Sequence, residues 1–370
     1  MLFFISSIQI IISIIHYFIY RIIISAYGFD DVYAKYIGIF FLIISFAFLV
    51  GNLLIQYFPS KTSNTFYYLS SIWTGFILYL LFASILIGIV ALLINYYGLD
   101  ISITTVANVL FSLAIIINMY GLYNSANIRV VNITIPIKNL PTYWQGKRAA
   151  VVSDTHYGPV HNENDAKKTV NMINSIDPDY LFHVGDFYDG PHMDWKLPAD
   201  EYRAINSRTV KYFVSGNHEE YAERDGGGDV LDAIRGAGFI VTDGKVTMDH
   251  GMQIVGTRYD HNENQEVLKQ TFSTENHYSS SSPSIVLKHA PLSLDLISSL
   301  GGDVLFAGHT HKGQMWPLGY ITSSMYNGFD WGLKYAGDLA VYTSSGVGTW
   351  GPPQRIGTQS EIVVITFVKG

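Results

Sequence analysis

Four long apolar stretches, almost free of charge, occupy the first third of the chain. They cover about residues 2–20, 36–58, 67–97 and 101–123, and each is long enough to cross the roughly 30 Å hydrocarbon core of a bilayer as an α-helix. Tyrosines cluster near their ends, as in the aromatic belts of membrane proteins. Buried core helices are the alternative, but uncharged stretches above about 18 residues favour membrane spans. The sequence therefore predicts an all-α domain of four transmembrane helices at residues 1–127.

The distribution of charge marks where this domain ends. Only 14% of the 370 residues are charged, against roughly a quarter in an ordinary globular domain. Nearly all of the charge lies beyond Asn127, so residues 128–370 form a second domain. The net charge of −7 and the absence of a basic run argue against a nucleic-acid polymer as partner. Before Asn127 the charged residues are Arg21, Asp30, Asp31, Lys35, Lys61 and Asp100.

The orientation in the membrane follows from the same residues. The first stretch could be a cleaved signal peptide, but it lacks a charged start and is longer than a signal core, so a retained helix is preferred. Four spans place both chain ends on one side of the membrane. That side has three basic residues close to the membrane, Lys61, Arg129 and Lys138, whereas the other side has two, Arg21 and Lys35. The positive-inside rule then predicts a multi-pass integral membrane protein of the cell membrane with a cytoplasmic C-terminal domain.

From residue 128 onward the pattern is that of a globular α/β domain. Residues 130–137 alternate as a strand, and residues 165–176 have the apolar spacing of a helix. Two strand patterns flank His250-Gly251, which predicts a hairpin. Helices alternate with strands early and strand pairs dominate later. This order predicts two sheets packed together with helices outside.

Five short apolar runs in this domain end in Asp, Asn or His. An uninterrupted apolar run predicts a strand buried on both faces, and ligands of open α/β sheets collect beyond the carboxyl ends of such strands. The side chains following the five runs should therefore converge. The runs 149–152, 180–184, 212–214, 285–287 and 304–306 lead into Asp154 and His156, Asp186, Asn217, His289, and His309 and His311, respectively.

These seven side chains offer only nitrogen and oxygen donors, and cysteine is absent from the chain. That mixture suits first-row divalent ions such as Mn, Fe, Zn, Co or Ni better than calcium. Seven donors exceed one tetrahedral site but suit two divalent metal ions about 3.5–4 Å apart that share a carboxylate. Asp186 lies in the middle of the set and is the expected bridge. His218 follows Asn217 and, on an extended segment, would point away from the ions, free to donate a proton to a leaving group or to stabilise charge on a phosphate.

Five motifs in order resemble the calcineurin-like metallophosphoesterases over about residues 148–370. The resemblance implies a four-layer α/β/β/α sandwich in which Asp154, His156, Asp186 and His311 hold one metal. Asp186, Asn217, His289 and His309 would hold the second, His218 would be the catalytic histidine, and a hydroxide between the metals would attack phosphorus. The motifs are Asp154-Thr155-His156, Gly185-Asp186, Gly216-Asn217-His218-Glu219, Lys288-His289-Ala290-Pro291 and Gly308-His309-Thr310-His311.

A narrower resemblance is to the branch of bacterial membrane-associated phosphoesterases of the YkuE and YaeI type. It rests on residues 186–190, Gly313-Gln314 and the pattern from Ser345 to Ile362. Two departures stand out: Lys312 where the branch has Gly, and Ser360 where Pro precedes the Glu. Lys312 and Arg355 are candidate contacts for a substrate phosphate, with a solvated charge or an ion pair as the alternative. Asp189 is assigned to a turn or to supporting a neighbouring ligand.

Together these features predict a membrane-anchored phosphohydrolase with two metal ions. The bond cleaved would be a phosphodiester or a pyrophosphate, and because the domain begins only a few residues after the fourth span, the phosphate-ester substrate could be lipid-linked. The lipid bilayer itself is the other expected partner. The alternative from a different class is a non-catalytic membrane receptor or scaffold that uses the same domain for binding.

Overall fold

The computed structural model describes residues 2–190, 195–224, 230–260 and 263–370, with side chains from residue 9 onward. Within these ranges the helices are α1 Leu2–Tyr27, α2 Asp31–Ser45, α3 Ala47–Tyr57, α4 Lys61–Tyr97, α5 Ile103–Ser125, α6 Glu163–Ile176, α7 Lys196–Glu201, α8 Asn217–Arg224, α9 Val230–Gly236, α10 Gln265–Thr271, α11 Leu294–Ser299 and α12 Leu318–Met325. The strands are β1 Arg129–Ile137, β2 Arg148–Val152, β3 Tyr180–His183, β4 Val210–Phe213, β5 Ile240–Val241, β6 Lys245–Asp249, β7 Met252–Gly256, β8 Ser284–Leu287, β9 Val304–Ala307, β10 Gly332–Ala336, β11 Leu339–Thr343 and β12 Glu361–Lys369.

The chain divides into two compact units. The first comprises Met1–Tyr123 together with the short segment Gly351–Ile356, and the second comprises Asn124–Trp350 and Gly357–Gly370. The domain boundary at residue 127 stays a prediction. The return of six late residues to the helical unit could not be anticipated from the sequence, where they form part of a Gly- and Pro-containing loop.

The helical unit contains four stretches of helix that are long and apolar enough to cross a membrane: Gln9–Tyr27, Asp31–Tyr57, Lys61–Tyr97 and Ile103–Ser125. The second stretch is not one continuous helix, since α2 ends at Ser45, α3 begins at Ala47, and the break lies at Phe46. Ser45 Oγ donates to Leu42 O, and Ser45 O accepts from Gln9 Nε2 at 3.0 Å. A side chain that takes a backbone carbonyl in this way interrupts the helical ladder and produces a kink.

Several polar side chains of the helical unit are buried, among them His16, Ser71 and Ser84, while many of its large apolar side chains are exposed. His16, for which the sequence offered no partner, accepts from Trp73 Nε1 through Nε2 at 3.0 Å, and its Nδ1 lies 2.8 Å from Ile12 O. Gln9 and Ser13 are similarly bonded to each other at 3.1 Å. This pattern suits a hydrocarbon environment, in which buried polar groups must be satisfied within the protein.

The segment Gly351–Ile356 packs against α4 and α5 within the helical unit. The N–H of Arg355 donates to Gly121 O at 3.0 Å, and Gln354 Nε2 lies 3.5 Å from Ile72 O. The glycines of the helices make this approach possible. A Cβ atom on Gly75 would lie 1.7 Å from Gln354 Oε1, and one on Gly121 would lie 2.8 Å from a side-chain carbon of Ile356.

The second unit contains, within the described residues, two six-stranded sheets. The first sheet has the order β1-β12-β2-β3-β4-β5, and the second has the order β10-β11-β9-β8-β7-β6. Strands β2 to β5 are parallel to one another, as are β7, β8, β9 and β11. Parallel neighbours cannot be joined by a tight hairpin, so longer connections run between them. The predicted hairpin at His250-Gly251 is confirmed as the antiparallel pair β6–β7.

The hydrophobic cores of this unit arrange these elements in four layers. One core joins the inner faces of both sheets, where the rings of Phe182 and Phe306 stack at 5.8 Å. A second core packs α6, α7 and α9 on the outer face of the first sheet, and a third packs α10 and α11 on the second sheet. The predicted α/β/β/α sandwich is therefore confirmed. Since β2, β3, β4, β8 and β9 run in the inner part of the two sheets, their carboxyl ends lie close together.

Candidate metal centre

Asp154 and His156 follow β2 and contact the loop after β9. The Asp154 carboxylate is fully buried and accepts the backbone N–H of His309 on both oxygens at 3.0 Å, with a further bond from Ser153 Oγ. His311 Nε2 lies 3.5 Å from Asp154 Oδ1 and 3.0 Å from His156 Nε2. Asp154, His156 and His311 thus form a buried group with the donor atoms needed to hold a metal ion.

A second group of this kind comprises Asp186, His289 and His309. His289 Nε2 lies 3.1 Å from Asp186 Oδ2 and 3.1 Å from His309 Nδ1. The other ring nitrogen of His289, Nδ1, is 2.7 Å from Val184 O. A carbonyl partner at one nitrogen fixes the tautomer and directs the lone pair of the other toward a metal.

Asp186, a member of the second group, also lies close to the first. Its Oδ2 is 3.8 Å from His156 Nε2 and 3.1 Å from His289 Nε2. Its Oδ1 accepts the backbone N–H of His218 at 3.0 Å. This placement is what a carboxylate shared by two ions would require.

Asn217 supplies an independent test of whether these residues suit cations. Its Oδ1 is buried and has no hydrogen-bond partner among the residues that the structure describes. An unsatisfied buried carbonyl oxygen is costly, and a bound cation would satisfy it. The nitrogen and oxygen donors around it therefore fit divalent metal ions of the first transition row.

Electrostatic coupling moves the pKa values within this site in opposite directions. Burial opposes ionisation of Asp186, but the charges of His289 and His218 outweigh burial and hold the pKa of its carboxyl well below its usual range. Burial raises the pKa of the Asp154 carboxyl to about 6. For His309, burial and the neighbouring His289 lower the pKa to about 3. Divergent pKa values among neighbouring groups are typical of functional sites.

His218 lies beside the two groups and contacts Asp189. Its Nδ1 is 3.1 Å from Asp189 Oδ1, and its ring centroid is 4.7 Å from that of His156. Burial disfavours the imidazolium, yet the carboxylates of Asp186 and Asp189 raise the pKa of His218 to about 10. The segment is not extended as the sequence argument assumed, because α8 begins at Asn217. The contact with Asp189 gives that residue an orienting role.

Glu219 is a site residue to which the sequence analysis gave no role. Its buried carboxylate accepts the N–H groups of Asp186 at 2.9 Å and Gly216 at 2.8 Å, and two more from Phe187 and Tyr188. Burial, reinforced by Asp186, raises the pKa of Glu219 to about 7. The carboxylate therefore joins the turn after β3 to the turn after β4. The only sequence signal was a Glu at the third position after Gly216.

Five of the candidate ligands adopt the left-handed backbone region that non-glycine residues rarely occupy. A conformation of this kind costs about 1–3 kcal/mol and persists where the surroundings enforce it, often at functional sites. The loop after β11 provides such support, since Gly348 N–H donates to Asp154 O at 2.8 Å. The five are Asp154, His156, Asp186, His309 and His311, with φ between 48° and 71°.

The two candidate substrate contacts lie in different units. Lys312 follows His311 in the second unit, and its ammonium lies 3.6 Å from the centroid of the Trp331 ring. Arg355 is fully buried and belongs to the segment Gly351–Ile356 of the helical unit. Contact of either residue with a substrate stays a prediction.

The chain is similar in sequence to a known family and to several known proteins. Residues 147–313, which include all seven candidate ligands, match the family model of the calcineurin-like phosphoesterases. A "Transmembrane protein with metallophosphoesterase domain" from Danio rerio is 29% identical over 270 residues, 68% of this chain and 60% of that protein. Its Bos taurus namesake is 26% identical over 282 residues, 67% of this chain and 59% of that protein. An uncharacterized metallophosphoesterase of Aquifex aeolicus (strain VF5) is 29% identical over 267 residues, 70% of this chain and 98% of the relative.

The chain therefore carries a calcineurin-like metallophosphoesterase domain, preceded by helices that are long and apolar enough to span a membrane. The four apolar helices support a membrane protein, and the two vertebrate relatives are themselves named transmembrane proteins. The chain spans about three-fifths of the length of those two relatives, 60% and 59%. The predicted superfamily is confirmed, whereas the narrower YkuE and YaeI branch stays a prediction.

Proposed function

We propose that the protein is a membrane-anchored phosphohydrolase that cleaves a phosphodiester or pyrophosphate bond with two divalent metal ions. The observation that carries this proposal is the position of Asp186, which belongs to the group with His289 and also lies 3.8 Å from His156 of the other group. The buried Asn217 Oδ1, which has no hydrogen-bond partner among the described residues, adds to it. Asp154, His156, Asp186 and His311 would hold one ion. Asp186, Asn217, His289 and His309 would hold the other.

Two bound divalent ions would supply a water of lowered pKa and a clamp for the phosphoryl oxygens. The metal would be Mn, Fe, Zn, Co or Ni, since nitrogen and oxygen donors suit these ions. Other side chains of the protein would hold these ligands in position. Asp154 is held in place by the His309 N–H, and Glu219 holds the turns that carry Asp186 and Asn217.

His218 is the proposed general acid. Its Nδ1 lies 3.1 Å from Asp189 Oδ1, which leaves Nε2 to carry a proton to the oxygen of a leaving group. Protonation of a leaving group by a positioned side chain contributes about 10²–10⁴-fold to rate. The partly exposed His218 side chain, at 15%, is open to a substrate that Asp154 and Asp186 cannot reach from their buried positions.

The enzyme assignment is tested with the full-length protein in detergent. The purified chain is loaded with each first-row metal in turn and assayed on an aryl phosphodiester and an aryl phosphomonoester. We expect hydrolysis of at least one ester and close to two ions per chain by elemental analysis. A protein that binds no metal and hydrolyses neither ester would support the non-catalytic receptor or scaffold instead.

We further propose that the substrate is a membrane-lipid phosphodiester or a lipid-linked pyrophosphate. Support comes from the chain itself, because helices able to anchor it raise the effective concentration of substrates confined to the bilayer. A soluble nucleotide or phosphodiester is the second candidate. Assay of the full-length protein in vesicles against phospholipids, lipid-linked pyrophosphates and cyclic nucleotides separates the two. Hydrolysis of the soluble compounds alone would reject the lipid substrate and leave the hydrolase assignment intact.

The proposed topology is multi-pass with the metallophosphoesterase domain in the cytoplasm. The support is the lysine and arginine bias beside the apolar stretches. Because the chain has no cysteine, Met248→Cys creates a single thiol at an exposed position of β6. We expect this thiol to react with a membrane-impermeant maleimide only after intact cells are permeabilised. Equal labelling before and after permeabilisation would place the domain outside.

A further inference from the structure

The segment directly after the last candidate ligand differs in composition from the rest of its unit. Residues 313–329 contain no Asp, Glu, Lys, Arg or His, although the segment lies at the surface. All eight residues of α12 are described and none is buried. Five large apolar or aromatic side chains are exposed here and are called the α12 patch: Trp316, Leu318, Tyr320, Ile321 and Met325.

The exposure of the α12 patch is high for residues of these types. Tyr320 is 73% exposed, Met325 68% and Ile321 60%. Single exposed apolar side chains are normal, but several neighbours along one short helix mark an interaction surface. Leu318, Ile321 and Met325 follow one another at spacings of three and four, so they share one face of the helix.

Residues next to the α12 patch contact residues of the candidate metal centre. Tyr326, at the end of α12, places its ring 6.1 Å from that of His309. Thr310, between the two ligand histidines, donates through Oγ1 to Asp330 O at 2.6 Å. At the start of the segment, Gly313 lets the chain pass so close to α12 that a Cβ atom would lie 2.4 Å from Gly319 N. A surface that binds through this patch would therefore lie at a defined position relative to His309 and His311.

The chemistry of the patch indicates a lipid–water interface as its occupant. Trp and Tyr combine an apolar ring with a polar group and concentrate at that interface. An uncharged segment enters the headgroup region without the cost of burying charge. Lys312 precedes the segment and is held over the Trp331 ring, so a positive charge lies where anionic headgroups would be. On the other side of the segment, the charge of Asp330 is paired with Lys334 at 3.7 Å.

We propose that the α12 patch docks into the surface of the bilayer and presents the metal centre to phosphate esters of membrane lipids. The apolar helices of the same chain keep a bilayer within reach at high effective concentration, whereas nothing comparable concentrates a soluble protein partner. The lipid substrate rests on the proposed function, but the docking itself requires no hydrolysis.

The test uses single cysteines, because the natural chain has none. Ile321→Cys places a label on the α12 patch. Met248→Cys is the matched control, because Met248 is 56% exposed and lies on β6, at the opposite edge of the same sheet from β10. The full-length variants are labelled with an environment-sensitive fluorophore and reconstituted in vesicles containing brominated phospholipid. We expect blue-shifted, bromine-quenched emission at residue 321, as for a helix buried about 5–10 Å into the interface, and water-like, unquenched emission at residue 248.

Two results would overturn the docking. A label at residue 321 that is as water-exposed as the label at residue 248 shows that no membrane covers the patch. A label that is shielded from water but not quenched by brominated lipid shows that a protein surface covers it. Neither result depends on catalysis. If the chain hydrolyses no substrate, the proposed function is rejected, but the fluorescence of the labels still shows whether the patch docks into the bilayer.

A second variant links the patch to activity. Ile321→Ser combined with Met325→Ser removes apolar area from exposed positions, where the fold is not expected to depend on it. We expect kcat/KM to fall about tenfold on a phosphodiester lipid in vesicles, in proportion to the apolar area lost from the interface. Hydrolysis of a soluble aryl phosphodiester should stay unchanged. An equal fall on both substrates would contradict the proposal, since it would indicate damage to the site.

Discussion

The two sheets contribute different chemistry to the metal centre. The first sheet supplies the carboxylates and the amide, Asp154, Asp186 and Asn217, along with His156 and His218. The second supplies three of the histidines and no carboxylate among the candidate ligands. The acids are held by backbone N–H groups, whereas His309 and His311 contact mainly other site side chains. The first sheet thus carries the anionic ligands and the second sheet most of the imidazoles. The two sides depend on each other, because the His309 N–H of the second sheet donates to Asp154 of the first.

The largest expected effect comes from removing the carboxylate that both sides share. Asp186→Ala deletes the oxygen that lies 3.1 Å from His289 Nε2 and 3.8 Å from His156 Nε2. We expect binding of both ions to fail and activity to fall by more than the roughly 10²–10³-fold typical of losing one electrostatic contact. Elemental analysis and a rate assay measure the two effects. Full retention of one ion would show that the two sides bind metal independently and would break the comparison.

The next effect concerns a residue of the first sheet that is not an assigned ligand. His218→Ala should keep both ions while the rate falls about 10²–10⁴-fold, because the proposed proton donor is lost. Asp189→Asn should cost less, since it weakens only the contact with His218 Nδ1. If His218→Ala releases metal instead, His218 is a ligand, as its grouping with His156 and Asp189 would also allow.

Much of this architecture could be predicted from the sequence, and the features that could not be predicted have identifiable physical reasons. Apolar runs ending in Asp or His predicted the strand ends because burial on both faces leaves a strand little choice of composition. The role of Glu219 was not predictable, since a Glu in a polar motif normally faces solvent. The left-handed backbone at Asp154 and His156 was equally hidden, because only tertiary contacts impose it. The break at Phe46 depends on Gln9, distant in sequence.

Glu219 allows the supporting frame to be tested apart from the metal. Glu219→Gln replaces an oxygen that accepts backbone N–H groups with an amide group that cannot accept. We expect a loss of about 1–3 kcal/mol in the free energy of unfolding, the cost of leaving buried donors unsatisfied. Chemical denaturation of the metal-free protein measures it. Glu223→Gln is the control on the same helix, because the one ion pair of Glu223 with a described residue is a 3.8 Å contact with Arg258. If the two substitutions lowered the free energy of unfolding equally, Glu219 would have no special supporting role.

The smallest expected effect concerns two aspartates at the strand ends that lie away from the metal centre, one in each sheet. Asp179 accepts Arg148 N–H at 2.9 Å before β3, and Asp303 accepts Ser284 N–H at 2.8 Å before β9. Partial burial opposes ionisation of Asp179, but Arg148 N–H and Lys147 outweigh it and lower the pKa of its carboxyl. Burial raises the pKa of the Asp303 carboxyl.

The two aspartates should therefore respond to pH in opposite ways. The contribution of Asp179 is present above the pKa of the unfolded chain and is lost as pH falls through the lower folded pKa. For Asp303 the folded state prefers the proton, so ionisation at neutral pH opposes folding. We expect Asp179→Asn to cost about 0.5 kcal/mol at pH 7 after allowance for screening, and Asp303→Asn to cost less. Thermal unfolding at pH 7 and pH 4 checks the order, and a larger loss for Asp303→Asn would reverse it.

The segment Gly351–Ile356 has a consequence for biosynthesis. The main segment of the helical unit ends at Tyr123, but the piece that packs along Gly75 and Gly121 is made only after most of the second unit. At about 5–20 residues per second, the ribosome needs roughly 10–45 s to cover that interval. During this time the inserted helices lack part of their packing. A nascent chain released before residue 356 would leave the helical unit permanently incomplete, which makes it a natural target for membrane quality control.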